Sequence, residues 1–490
     1  MKDNIAIGIM TSINLKQRFM ACKNTWTKDF DNVFFFGGDK QDDNLIRLEG
    51  IGEDYSSAFM KQQLGMKRMF EASPEFDWYC MIGCDHIIFK DSLLESLKNF
   101  DRNEDIIISQ VRDKIIIDNI ETVIFSGGAS FFMSNSLMKK IYPKIDEFNV
   151  HWGNITNPTT YFSNVSYDWA DIAIAYIVKK YTNIDATNVL GMYSQNPSFY
   201  DEYNIQEGIK YGGLKQDNVS HLKNPISFHY IRPDEMKSVY EKFRKKKYLF
   251  YHIYLYDKIN DIVGDQLKKL KNSGLLDISE LHVTIMDNYD GSYKIDDANM
   301  EIINKYATEI YYDNSNTFEL FTLQKLHQHA LTHCGNYLYF HTKGCTRVND
   351  TNVENFAFGP YVGNYSYKNV ENWRNIMEHF TIEHWLECVE YLNNGSDLAG
   401  CNYNSKWSPQ HYSGNFWWAS SDFLKKLPDP FSFGVDRMNA EMWIGRIKHK
   451  ATCLYPLPIK EDEHNRFVVY TDPEDYLNKI DIKEYYNYDK

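Results

Sequence analysis

Short apolar runs alternate with amphipathic stretches along this chain. Ile5–Met10 is a short apolar run, followed by polar Thr11, Ser12 and Asn14. Leu15 to Trp26 repeats its apolar positions at helical spacing, and Val33–Phe36 reads as a second strand closed by Gly37-Gly38-Asp39. Ser57–Phe70 predicts a helix and Trp78–Ile82 another strand. Strand and helix in alternation predict a mostly parallel α/β sheet, whose ligands sit beyond the carboxyl ends of the strands. The polar residues that close each strand are therefore the ones to follow.

The pattern restarts half-way. Pro233 to Lys247 reads as a charged linker helix, and Tyr248–Leu255 begins a second series: strand, helix (Ile259–Lys271), a stop at Gly274, and strand (Leu281–Met286). A further strand, Tyr337–Phe340, ends in His341-Thr342-Lys343-Gly344. The halves also share a local order. Ser126-Gly127-Gly128 leads into a bulky strand, Ser134 and a helix with Lys139-Lys140; Ser413-Gly414-Asn415 leads into Trp417-Trp418, Ser420 and a helix with Lys425-Lys426. Each series is followed by an acid opening an apolar helix, Asp171 in the first and Glu441 in the second. An ordered series of this kind favours two copies of one architecture over chance. The expected organisation is a first domain over 1–233, a linker helix over 234–247, a second domain over 248–458, and an acidic arm over 459–490.

Composition narrows the function. The 490 residues exceed what one core supports. Apolar residues at 43% and aromatics at 16% suffice for packed cores and argue against disorder. A net charge of −14 with no long basic stripe excludes a nucleic-acid binder. No stretch approaches the roughly 20 apolar residues of a membrane span. No secretory signal is visible, and the eight scattered cysteines contain no CxxC pair, so reduced thiols in a cytoplasm are expected. His329 and His333 stand one helical turn apart, as zinc pairs do, but no acid sits at companion spacing; an exposed helix face is the expectation.

Three segments of the first half resemble the fringe and β-1,3-galactosyltransferase-like glycosyltransferases. They are Arg18 with Thr25-Trp26; the strand Asp77-Trp78-Tyr79-Cys80-Met81-Ile82 ending in Gly83-Cys84-Asp85; and Phe125-Ser126-Gly127-Gly128-Ala129, followed by Asp171 and Ser227-Phe228-His229-Tyr230. The resemblance covers residues 5–232. It implies a GT-A-like, Rossmann-like domain that takes a nucleotide-sugar donor, with Asp85 and His229 as ligands of a divalent cation (manganese or magnesium) and Asp171 as the base. Thr11, Arg18, Asp39, Gly127 and Gly128 would line the donor. For Asp39 a plain turn residue is the equal alternative, and for Asp171 a helix cap. The chain departs from the pattern where the first two acids of the strand-end triplet should stand: they are Gly83 and Cys84 here, which leaves Asp85, with His86 as a possible substitute, or no metal at all.

The second half resembles a bacterial polysaccharide-synthesis glycosyltransferase domain with a His-Thr-Lys-Gly motif. The resemblance implies a second GT-A-like domain without metal. His341 and Lys343 would face the donor diphosphate, aided by Arg347 and Arg374, with Glu441 as base. His411, Trp417, Trp418 and Trp443 would line the acceptor, because sugar C–H faces stack on aromatic rings; one of Trp417 and Trp418, alternating on a strand, belongs to the core. The expected activity is two sugar transfers onto a growing glycan or glycolipid with inversion, possible peripheral association with a membrane-linked acceptor included. One active module beside a degenerate acceptor-binding one is the alternative. A non-enzymatic carbohydrate-binding protein ranks third, because it leaves the paired motifs unexplained.

Overall fold

The computed structural model describes residues 4–469 except 41, 158, 160–163, 201–223, 288–290, 316, 347–354, 359–360, 365–366, 406–407, 456–458 and 462–466. The chain forms two compact units, Met1–Arg244 and Lys245–Lys490.

The first unit contains β1 (Ile5–Met10), β2 (Asn32–Phe36), β3 (Trp78–Gly83), β4 (Ile87–Ile88), β5 (Ile107–Ser109), β6 (Val111–Ile117), β7 (Ile120–Phe125), β8 (Phe131–Ser134), β9 (Thr187–Asn188) and β10 (Ser227–Phe228). Its main sheet runs β2-β1-β3-β8-β5-β9, with β1 parallel to both β2 and β3 and β8 antiparallel to both β3 and β5. β1 and β3 are apolar on both faces because helices cover both sides of the sheet. The helix Ala58–Ala72 contacts β1 and β3, and Phe148, Trp152 and Tyr176 pack together from the helices Ile145–Ile155 and Ala170–Thr182. Asn183, in the left-handed region at φ 59°, stops the second of these.

The second unit contains β11 (Lys247–Tyr254), β12 (Ser279–Met286), β13 (Ala307–Asp313), β14 (Asn336–His341), β15 (Asn355–Phe358), β16 (Tyr361–Asn364), β17 (Leu398–Gly400), β18 (Tyr403–Asn404), β19 (His411–Tyr412), β20 (Trp417–Ser420), β21 (Ala451–Cys453), β22 (Ile459–Glu461) and β23 (Phe467–Val469). Its main sheet runs β13-β12-β11-β14-β20-β17-β21. Without β13 this order repeats that of the first unit, strand for strand and with the same directions: β12∥β11∥β14, then antiparallel β20 and β17, then parallel β21. The register agrees too. Trp78 pairs with Ser134 and Asn336 with Ser420, and each serine caps the helix that follows, through Leu137 N–H or Phe423 N–H. Counting along β3 and β14 from these pairs, Gly83-Cys84-Asp85 fall in the register of His341-Thr342-Lys343. The doubled motif order of the sequence is thus a doubled topology.

One expectation changes. The helix within Pro233–Lys247 is Met236–Phe243 and is no spacer. Phe243 packs on Phe89 and Phe228, and Tyr240 bonds Asp29, so it is built into the first unit. The start of the expected arm, β22 and β23, joins β15 and β16 in a four-stranded sheet of the second unit. Residues 470–490 of the expected arm lie outside the described residues.

Candidate functional sites

In the first unit the site forms where β3 ends. Asp85 is the second residue beyond that strand, and His86 precedes β4. β4 pairs antiparallel with β10 through Phe228↔Ile87, which sets His229 beside His86 although the two are far apart in sequence. Their rings stack at 4.2 Å. Ser227 fixes the approach: its hydroxyl donates to the Ala129 carbonyl at 2.8 Å and meets Ser130 Oγ at 2.9 Å. The Gly127–Ala129 turn therefore lies under His229, and a Cβ on Gly128 would collide with that ring.

Asp85 collects this geometry. Its Oδ1 lies 3.3 Å from His229 Nε2 and 3.4 Å from His86 Nδ1, and its Oδ2 lies 3.4 Å from Arg18. Burial opposes the charge of Asp85, yet the two imidazoles outweigh it and hold the carboxyl far below its usual range. Burial and the neighbouring His86 push the His229 pKa down. Candidate ligand atoms of Asp85, His86 and His229 lie within 4.8 Å of one another. His86 Nε2 and His229 Nδ1 are buried without a hydrogen-bond partner in the protein. One carboxylate and two imidazoles suit a divalent cation, so the residues present fit the metal that the family implies. Gly83 belongs to this arrangement, because a Cβ there would come within 2.8 Å of Asp85 Oδ1. Cys84 does not: its thiol is buried and raised to about 11 by that burial.

The other residues expected of this site fall around it. Asp171 lies in the first turn of the helix Ala170–Thr182, where Trp169 is the cap, and accepts from the Ile172 N–H at 2.9 Å. Burial of the Tyr55 hydroxyl, then the charges of Asp168, Asp171, Tyr230 and Asp85, raise the Tyr55 pKa. Thr11 and Ser12, just beyond β1, are buried with unpartnered hydroxyls, as a polar ligand's pocket would require. Asp39 pairs with Arg47 at 2.6 Å on the surface of its turn. Glu53, which the sequence did not single out, accepts from Ile13 N–H and Lys40 N–H, both at 3.2 Å, and so ties together the ends of β1 and β2.

The second unit builds a different site at the equivalent strand end. His341 is buried; its Nε2 donates to the Gly414 carbonyl at 2.9 Å and its Nδ1 stands 3.7 Å from Glu319. Burial, then the Lys343 ammonium, push the His341 pKa down to about 3, so the ring is neutral. It holds the Gly414 turn and adds no positive charge. Glu441 Oε1 accepts from the Gly414 N–H at 2.7 Å, joining His341, Gly414 and Glu441 in one chain. Lys343 is the cation of the strand end, with its ammonium 4.3 Å from the Trp373 ring centre. Arg374 is buried, donates to the Lys343 carbonyl at 2.9 Å and faces buried Glu378, so it braces the loop from beneath. Arg347 lies outside the described residues.

Trp417, Trp418 and Trp443 are fully buried, with their indole N–H groups donating to Asn415 Oδ1, Thr381 O and Pro428 O. They pack the core and present no ring face. His411 is buried on β19, with Nδ1 3.1 Å from the Pro409 carbonyl. The sequence missed two contributors. Glu319 accepts from Tyr339 OH at 3.2 Å and Asn415 Nδ2 at 2.5 Å. Arg437 opens the helix that ends in Glu441 and acts electrostatically on His341.

Residues 1–247 match the fringe-like family, half of the chain. The chain belongs to that family. It therefore carries a glycosyltransferase domain, and the α/β sheet of the first unit is the form it takes. Residues 250–465 match a domain of unknown function, DUF8361. No curated protein matches the chain. Among solved structures, the glycosyltransferase GlyE of Streptococcus pneumoniae TIGR4 aligns at 10% identity and a TM-score of 0.28, over 68% of this chain and 85% of that one. A glycosyltransferase involved in glycosylating the major capsid of PBCV-1 aligns at 10% identity and 0.26, over 48% and 99%. Among the described residues no helix is long and apolar enough to cross a membrane.

Proposed function

We propose that the first unit of this fringe-like chain transfers a sugar from a nucleotide diphosphate donor to a hydroxyl of a glycan or glycolipid, with inversion. The convergence of Asp85, His86 and His229 carries this reading. Asp85 and His229, joined by His86, would hold a manganese or magnesium ion, which neutralises charge on a departing diphosphate. Arg18 steadies the Asp85 carboxylate. The pocket beyond β1, with Thr11, Ser12, Asp39 and the Gly127-Gly128 turn, receives the donor. Asp171 takes the proton of the attacking hydroxyl, and a base at that position implies a single displacement at the sugar carbon.

The second unit is proposed as a second transfer centre without metal. The repeated topology supports it, with Lys343 in the register of Asp85; Glu441 follows the Ser-Gly motif as Asp171 does, but ends its helix, Arg437–Glu441, where Asp171 opens its own. A point charge and backbone donors serve a leaving diphosphate there. Its alternative, a unit that binds acceptor only, is favoured by one observation: His341 and Glu441 both spend hydrogen bonds on Gly414.

The full chain, assayed with a panel of nucleotide sugars and glycan acceptors, tests both readings. Transfer lost in Asp85→Ala and in Asp171→Asn assigns chemistry to the first unit. A distinct transfer lost only in Glu441→Gln assigns chemistry to the second, and its absence leaves that unit as an acceptor module. No donor turnover by the intact chain would refute the transferase reading, and a retained anomeric configuration would refute Asp171 as base.

A further inference from the structure

The second unit holds a side-chain group that its strand-end site does not use. Glu280 and His282 stand two residues apart on β12 and therefore share one face of the sheet. His329 meets them from the last turn of the helix Leu320–Thr332. Candidate ligand atoms of the three lie within 4.8 Å of one another.

His282 is the informative member. It is 2% exposed; its Nε2 has no hydrogen-bond partner in the protein, and its Nδ1 has only the Glu309 carboxylate, 3.4 Å away. Its ring is fixed flat against Phe250, with centres 4.5 Å apart, and stands edgewise to His329 at 4.8 Å. Buried polar groups in native proteins find partners, so a rigidly held imidazole whose Nε2 is unpartnered and whose Nδ1 meets only Glu309, 3.4 Å away, points to something that fills it. His329 is oriented as a ligand would be: its Nδ1 sits 2.9 Å from the Tyr337 hydroxyl, which leaves Nε2 for a second donor bond. Glu309 on β13, 3.4 Å from His282 Nδ1, adds negative charge, and Lys246 opposes it. His333 stacks on His329 at 3.9 Å but turns its Nδ1 to the carbonyl of His329, 3.1 Å away. The sequence pointed to His329 and His333 and found no companion acid; the fold replaces His333 with His282 and brings Glu280 from β12.

We propose that Glu280, His282 and His329 bind a zinc-class divalent transition-metal ion. Two imidazoles and one carboxylate are the mixed donor set such ions take, whereas magnesium and calcium prefer oxygen alone. The group lies along β12 toward the starts of β11 and β14, away from the His341 end of β14. The ion would clamp the helix Leu320–Thr332 to β12 as a structural link, independent of the transferase proposal.

The test uses the full chain carrying Asp85→Asn, which removes the carboxylate of the first unit's own ligand group. After chelation, the protein is loaded with zinc chloride and desalted, and its zinc content and melting temperature are measured. One zinc per chain with a raised melting temperature is expected. Zinc affinity should fall about tenfold or more in His329→Gln and His282→Gln. If His282→Gln fails to fold, Glu280→Gln at the partly exposed edge serves instead. Cobalt(II) loading of the parent should give visible absorption bands of a protein-bound ion. A parent chain that retains no zinc overturns the proposal, and so does retention unchanged in His329→Gln and Glu280→Gln.

Discussion

The imidazole of His229 fills the space in front of Gly128, so that a Cβ on that glycine would overlap its Nδ1. Gly128→Ala therefore displaces His229 from Asp85 without removing any ligand. A shift of about 1 Å in such a group costs on the order of a hundredfold in rate. Transfer by the first unit should fall by about that factor, and the manganese concentration for half-maximal activity should rise. A circular-dichroism spectrum unlike that of the parent would attribute the loss to folding instead.

Asp171→Asn keeps the size and the helix-start position of the side chain but removes the base. A fall in kcat of about 10²–10⁴-fold with little change in donor KM is expected from steady-state kinetics. A mutant that loses donor affinity and keeps kcat would assign Asp171 to binding.

Glu441→Gln retains an oxygen to accept the Gly414 N–H, so the turn should persist. In an Asp171→Asn background, any transfer that remains belongs to the second unit. Its disappearance on adding Glu441→Gln, with an unchanged melting temperature, is the expected result.

Trp443→Ala removes a fully buried indole from the second core. It should destabilise that unit by about 3–5 kcal/mol, read by urea unfolding. The milder Trp417→Phe should lower the melting temperature and leave acceptor KM as it was, because that ring is packed against Tyr339.

Buried histidines of the second unit, His252 and His341 among them, oppose acid. Burial pushes His252 down to about 4 and His341 down to about 3. The unfolded chain takes up protons on both near pH 6.5, whereas the folded one resists, so stability rises with pH across this interval and is lost as pH falls from about 6.5 toward 4. Each contributes up to about 3 kcal/mol to that loss. Unfolding midpoints measured between pH 7 and pH 4.5 should fall, and His252→Gln should flatten the slope.

Much of this was readable from the sequence because it was local. Strands buried on both faces show as apolar runs, and Ser134 and Ser420 cap the helices they precede. The polar strand ends Asp85 and Lys343 mark the two sites. What was hidden depends on contacts between distant segments. His86 gains its meaning from the pairing of Ile87 with Phe228, and His282 from a helix that packs across β12. Glu319 shows no strand-end signal at all. The tryptophans misled for a physical reason: an indole that suits a sugar face suits a core equally, and only burial separates the two.

The tie between Ser227 and the Ala129–Ser130 backbone has a consequence for synthesis. A chain made from its amino end exposes Asp85 and His86 well before His229 leaves the ribosome. Until β10 has docked on β4, the cluster lacks its second imidazole. The cluster is complete only with the last strand of the first unit.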